Sequence, residues 1–201
     1  MSASITRGQL FSRGAKSGAV LLVGGSVLGQ FVDTAAASSL STTDLAYARL
    51  LVGAELLASD FYSQGVAASN SGPVVDGYLH RALANEQEHY QSVAGILAGA
   101  GMTPAVSGDI DFSYPAGTFA SQGSIVKFAR QLEELLLGAY LGAIAGIQAD
   151  ALKGGLAQIA ACEAQHASYF TAAGGSKAFK SSFPPPLTID QASDALDAFT
   201  A

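Results

Sequence analysis

The most constraining feature of this 201-residue chain is a short pattern that occurs twice in the same setting. Across 79–97, Leu79, Ala82, Leu83, Glu86, His89, Val93 and Ile96 recur at spacings of three and four, which puts them on one helical face. Across 156–170, Leu156, Ile159, Ala160, Glu163, His166 and Phe170 do the same. Such an apolar stripe belongs in a core, so each Glu-x-x-His places a carboxylate and an imidazole one turn apart where water is excluded. That burial is costly without compensation. A metal ion supplies it, because the helix aims both side chains at one point. The chain has three histidines, and two of them stand in this setting.

The rest of the chain is consistent with an all-α domain. Its apolar content is 49% and its mean hydropathy +0.32, while 13% of residues are charged. Ala, Gly and Leu dominate, and β-branched residues never run together in a long alternating stretch. The 23 glycines weaken intrinsic helix propensity, so packing must hold the helices. A formal charge of −6 leaves no basic patch to follow a phosphate backbone, which argues against nucleic acid as a partner. The single cysteine, Cys162, excludes an intrachain disulfide and reads as a small buried apolar residue.

Residues 1–37 read as a targeting segment. Arg7, Arg13 and Lys16 precede an apolar stretch, Gly18–Val32, and Ala35-Ala36-Ala37 offers a small-residue cleavage site. The apolar stretch is short for a bilayer span. The alternative is a retained packing helix. The expected location is therefore secreted, periplasmic or cell-envelope associated. A bundle domain is expected over 38–175, and a proline-containing tail with a short helix over 176–201.

Within 38–175 the pattern predicts four helices. The first spans about 44–68, capped by Thr42 or Thr43, with Leu45, Ala48, Leu51, Val52, Glu55 and Tyr62 inward. Asn70-Ser71-Gly72-Pro73 turns the chain back into a second helix over about 74–100. Residues 102–122 lack periodicity, and a connection this long can carry the chain along the whole bundle. Helices two and three would then run parallel. The third helix covers about 124–149, capped by Ser124, with Val126, Ala129, Glu133, Leu136, Leu137, Tyr140 and Ile144 inward. The fourth covers about 155–173. In the tail, Phe183-Pro184-Pro185-Pro186 is stiff and extended, and Thr188 with Gln191 forms a capping box opening a short helix.

The inward ionisable groups are Glu55, Glu86, His89, Glu133, Glu163 and His166. One Glu from each of two helices, plus a Glu-x-x-His from each of the other two, supplies four carboxylates and two imidazoles to a pair of divalent metals. Four negative charges neutralise two M²⁺ ions. Oxygen-rich coordination with one imidazole per metal suits iron or manganese, with zinc a competitor. Symmetry assigns Glu86 and Glu163 to bridging positions and Glu55 and Glu133 to terminal ones. Each histidine needs an acceptor for its outer N–H, and Asp60 and Asp150 are candidates, although helix phase turns both outward. Tyr62 and Tyr140 lie two turns beyond Glu55 and Glu133, as packing residues, gates or radical carriers. His80, Glu88 and Glu134 fall off the inner faces, and Asp109 and Asp111 read as loop solvation.

Glu55 followed by Asp60-Phe61-Tyr62, Glu86-x-x-His89, Glu133 followed by Gly138-Ala139-Tyr140-Leu141-Gly142-Ala143, and Glu163-x-x-His166 together resemble the ferritin-like superfamily. The match is closer to its secreted or membrane-associated members, which are grouped with desiccation-related proteins. It covers about 44–173. The resemblance implies a ferritin-like four-helix bundle, with a long crossover between helices two and three, holding a di-iron or dimanganese centre at those six positions. Relatives oxidise ferrous iron, disproportionate or reduce peroxide, or activate oxygen. A dimetal redox protein acting on peroxide, oxygen or ferrous iron is one expectation. A non-enzymatic, metal-stabilised structural or stress-protection protein is the other, with glycine-rich helices able to form a homo-oligomer.

Overall fold

The computed structural model describes residues 40–178 and 181–199, so the proposed targeting segment lies outside the described residues. Helix α1 (Thr42–Ala68) begins where Ser41 accepts a hydrogen bond from the Asp44 N–H and Asp44 accepts one from the Ser41 N–H. This reciprocal box moves the cap one residue ahead of Thr42. Three residues beyond Thr42 and Thr43 stand Leu45 and Ala46, which cannot return the bond. The same logic moves the start of α3 (Gln122–Gly146) to Ser121, with Ser124 as its partner rather than the cap. Pro73 opens α2 (Pro73–Gly99) at a position where a missing N–H costs nothing.

Helix α4 (Asp150–Ala173) starts five residues before the expected Gly155. Leu152 and Leu156 are buried, and this packing outweighs the poor propensity of Gly154 and Gly155. The connection from α3 is only residues 147–149. Its Gln148 N–H donates to the buried Asp44 carboxylate at 2.7 Å, tying the α3–α4 turn to the start of α1.

Side-chain contacts fix the topology. Gly72 donates to Gln122 at 2.7 Å and Asn70 to the Phe119 carbonyl at 2.8 Å, so α2 and α3 begin at the same end and run parallel. Tyr62 on α1 meets Glu133 on α3, and Glu55 on α1 meets Tyr140 on α3, so these two helices are antiparallel. Tyr78 on α2 stacks on Tyr169 of α4 with ring centroids 3.5 Å apart, while Asn85 meets Cys162 further along. The result is a four-helix bundle with one long crossover.

That crossover lies along α1. Met102 sits near Arg49, Tyr114 donates to Asp60 at 2.7 Å, and Phe119 lies near Asn70, so the chain passes from one end of α1 to the other. Phe61, Tyr114, Phe119, Phe128 and Phe199 form an aromatic cluster that pins crossover and tail to the α1–α3 side. The short helix α5 (Ile189–Asp197), opened by the Thr188–Gln191 box, packs on α1 and α3 through Ala192 and Leu196. Ahead of it, the Leu187 N–H donates to the Gly138 carbonyl at 2.8 Å. A Cβ on Gly142 would collide with the Leu187 main-chain carbonyl, so glycine is what lets this strap lie directly on α3. With both covers in place, every residue from Leu50 to Ala58 is buried, not just the inner stripe. Among the described residues, no helix is long and apolar enough to cross a membrane.

Candidate metal centre

All six expected residues meet at mid-bundle. Glu55, Glu86, Glu133 and Glu163 are 0% exposed, His166 2% and His89 8%. They form two overlapping clusters, Glu55–Glu86–His89–Glu163 and Glu86–Glu133–Glu163–His166, each with one atom per residue within 4.8 Å of the others. Glu86 and Glu163 belong to both clusters, whereas Glu55 and Glu133 belong to one each. Both imidazoles turn Nδ1 inward. His89 Nδ1 lies 2.9 Å from Glu163 Oε1 and 3.3 Å from Glu86 Oε2; His166 Nδ1 lies 3.0 Å from Glu86 Oε1 and 3.5 Å from Glu133 Oε1.

These donors fit a cation better than they fit one another. Glu55 Oε2, Glu86 Oε1, Glu133 Oε2, both Glu163 oxygens and His166 Nδ1 are buried with no aligned hydrogen-bond partner. His166 Nδ1 is close to Glu86 Oε1, yet the ring N–H does not point along the contact. Buried polar atoms left this way are expensive, and atoms converging on a common gap are what a metal needs. Among the described residues, these two groups are the ones with the composition and spacing to hold an ion.

The electrostatics show the same strain. Burial lifts the Glu55 carboxyl well above its ordinary range, repulsion from Glu86 and Glu163 adds to this, and His89 opposes it. Glu133 is lifted by the same causes, opposed by His166. For Glu163 burial pushes upward too, but the close approach of the His166 and His89 imidazoles wins and brings it down to about 2. Burial alone would lower both histidines; contacts with Cys162 and the surrounding carboxylates raise them instead. These directions are what carboxylates and imidazoles crowded together away from water produce.

Two tyrosines complete the site in a way the sequence does not show directly. The Tyr140 hydroxyl donates to Glu55 Oε1, and the Tyr62 hydroxyl to Glu133 Oε1. Each tyrosine therefore serves the carboxylate of the other helix. The signal was the shared seven-residue offset: on antiparallel helices it sets each tyrosine opposite its neighbour's glutamate. Both rings are fully buried, so they pack and hydrogen-bond at once.

The sequence of the matching region now has a place in known families. The sequence model of the ferritin-like domain matches residues 43–176. The chain belongs to the ferritin-like family. A comparison with curated proteins finds none that matches. Like the family resemblance read from the motifs, the match covers the four helices and stops before the strap and α5.

Asp60 and Asp150, whose helix phase turns both outward, make no contact with either histidine. Asp60 instead accepts from Tyr114 and Gln64, both at 2.7 Å, and Asp150 is exposed beside Lys153 at 2.8 Å. The groups that do reach a histidine's outer nitrogen are Asn85, 3.1 Å from His166 Nε2, and Cys162, 3.6 Å from the same atom. Cys162 is thus half-buried in a polar contact rather than a buried apolar filler. Burial would raise its thiol, but the contact with His166 and the influence of His89 outweigh it and hold it at about 7. His80, Glu88 and Glu134 are exposed as expected; His80 pairs with Asp76 and Glu134 with Arg130. In the crossover, Asp109 caps a short turn by accepting from the Val106 N–H at 3.0 Å.

Proposed function

We propose that this ferritin-like protein holds two divalent metal ions, iron or manganese, and uses them in redox chemistry on peroxide or oxygen, or to oxidise ferrous iron. The observation that carries this reading is the pair of overlapping clusters that share Glu86 and Glu163. In it, Glu55 and His89 would hold one ion and Glu133 and His166 the other, with Glu86 and Glu163 placed to contribute to both. When bound, the ions supply a Lewis acid and a reversible store of electrons for a small oxidant.

The chain's own residues set the conditions for that chemistry. Tyr140 and Tyr62 each occupy one oxygen of a terminal glutamate, which leaves the other oxygen, Oε2, for the ion. The histidines present Nδ1 inward. Helix α5 and the crossover keep water from the α1–α3 side. The signal-like composition of residues 1–37 supports a cell-exterior location, where peroxide and oxygen arrive freely.

A second reading, a metal-stabilised structural protein without catalysis, is favoured by one observation: all four carboxylates are wholly buried. One experiment separates the two. Metal per chain is measured on protein purified from its own host. The protein is then loaded anaerobically with Fe²⁺ or Mn²⁺ and tested for oxygen release from peroxide and for oxygen uptake. Two ions per chain with turnover supports the redox reading. Two ions without turnover in either metal supports the structural one. No binding of either metal removes both.

A further inference from the structure

Asn85 and Cys162 occupy the same place in the two halves of the bundle. Each immediately precedes the glutamate of a Glu-x-x-His, giving Asn85-Glu86-x-x-His89 and Cys162-Glu163-x-x-His166. The two side chains meet across α2 and α4, with Asn85 Nδ2 3.5 Å from Cys162 Sγ. Both lie on the solvent side of the imidazoles and are half-buried. Asn85 reaches the histidine of the opposite helix, and Cys162 contacts His166 on its own helix.

Tautomer chemistry turns this placement into a role. A histidine that coordinates through Nδ1 carries its hydrogen on Nε2, and that N–H needs an acceptor to fix the ring. The amide of Asn85 offers Oδ1 after a half turn about its last side-chain bond, because its oxygen and nitrogen ends are interchangeable in shape. The sulfur of Cys162 is a weak acceptor within reach. Among the described residues, the groups at His166 Nε2 are Asn85 and Cys162, with no carboxylate, the commoner partner of a metal-bound histidine. A neutral acceptor draws less on the ring N–H than a carboxylate does, so it leaves the imidazole a poorer donor to the metal.

The geometry points to Asn85 and Cys162 as a shared pair of positioning residues that orient His166 from both helices and, being uncharged acceptors, set the affinity and potential of the centre. This rests on the dimetal reading above. It adds that α2 and α4 are tied together outside the carboxylate cage, through Asn85, Cys162 and His166.

The test uses the full chain with Co²⁺ and Mn²⁺ as probes. Binding is measured by calorimetry for wild type, Cys162→Ser, Cys162→Ala, Asn85→Ala with Cys162→Ala, and Asn85→Asp. Exchange of the paramagnetically shifted imidazole N–H protons is followed by NMR in the Co²⁺ forms. The double alanine variant is expected to bind about 10–100-fold more weakly, with faster N–H exchange. Cys162→Ser, which keeps an acceptor, should retain most of the affinity. Asn85→Asp should bind more tightly than wild type and shift the iron potential negative, a change that a packing role does not produce. Wild type that binds two ions, with all variants matching it in affinity and exchange, would overturn the positioning role alone. Wild type that binds no ion would overturn the dimetal reading and this inference with it.

Discussion

A buried carboxylate in this bundle is defined by which of its two oxygens is already engaged. Tyr140 holds one oxygen of Glu55, and Tyr62 holds one of Glu133, so each glutamate keeps a single free oxygen in a fixed direction. Replacing Tyr62 and Tyr140 by Phe removes both donors while keeping the rings. Two ions per chain should still bind, but the terminal carboxylates should become free to chelate through both oxygens. Vibrational difference spectra of the carboxylate stretches on metal loading would show this change, and unchanged spectra would refute it. Replacing His89 and His166 together by Ala should abolish stoichiometric two-metal binding while leaving helical circular dichroism intact; two ions retained in that variant would sink the ligand set. These residues were legible because a Glu-x-x-His in an apolar stripe contradicts its surroundings. Asn85 and Cys162 were not: Cys162 read as a small buried apolar residue, Asn85 carried no signal, and only the meeting of α2 with α4 brings Asn85 to His166 and Cys162.

The same residues predict how the metal-free protein responds to pH. Glu55 and Glu133 have folded pKa values raised above the ordinary 4.5, and His89 and His166 above 6.5. A raised folded pKa means the native state holds more protons than the unfolded chain, so stability falls as pH climbs above each ordinary value. Glu163, lowered to about 2, contributes in the opposite sense, and its share is lost as pH falls from 4.5 toward that value. These groups therefore make the metal-free fold most stable in mild acid and progressively weaker toward alkaline pH. Thermal midpoints in chelator from pH 4 to pH 9 should decline above about pH 5. Metal loading, which displaces the protons, should reverse the decline, and metal affinity should rise with pH.

At the scale of elements, the helices were readable from spacing and their caps were not always. Ser41 and Ser121 win their positions through the residue three places on, a reciprocal bond that a cap preference by itself does not weigh. Asp44 does more than cap, since it also receives the Gln148 N–H from the α3–α4 turn. Asp44→Ala should therefore cost about 1–2 kcal/mol in a denaturant unfolding experiment, at the upper end for a cap. The strap was unreadable for a different reason. Gly138 and Gly142 look like helix-weakening residues until Leu187 is seen lying on them. Gly142→Ala should lift the strap and destabilise the protein by about 1–3 kcal/mol despite the better helix former. A gain in stability would show that the strap is dispensable.

For the whole molecule, the parallel run of α2 and α3 followed from the length of residues 102–122, whereas the route of that segment did not. Polar spacing across the crossover gave no hint that Tyr114 and Phe119 would join Phe61, Phe128 and Phe199 in one cluster. The consequence is a bundle with two unlike sides. Helices α1 and α3 lie beneath a second layer formed by crossover, strap and α5, while the seam between α2 and α4 is closed by side chains such as Tyr78, Asn85, Cys162 and Tyr169. Amide protons at the centres of α1 and α3 should accordingly exchange only through global unfolding, and those at the centres of α2 and α4 through smaller, more frequent openings. Ions that reach the carboxylates by the breathing of this helix pair would enter at a rate that reports how often the wall moves rather than how wide a door stands open.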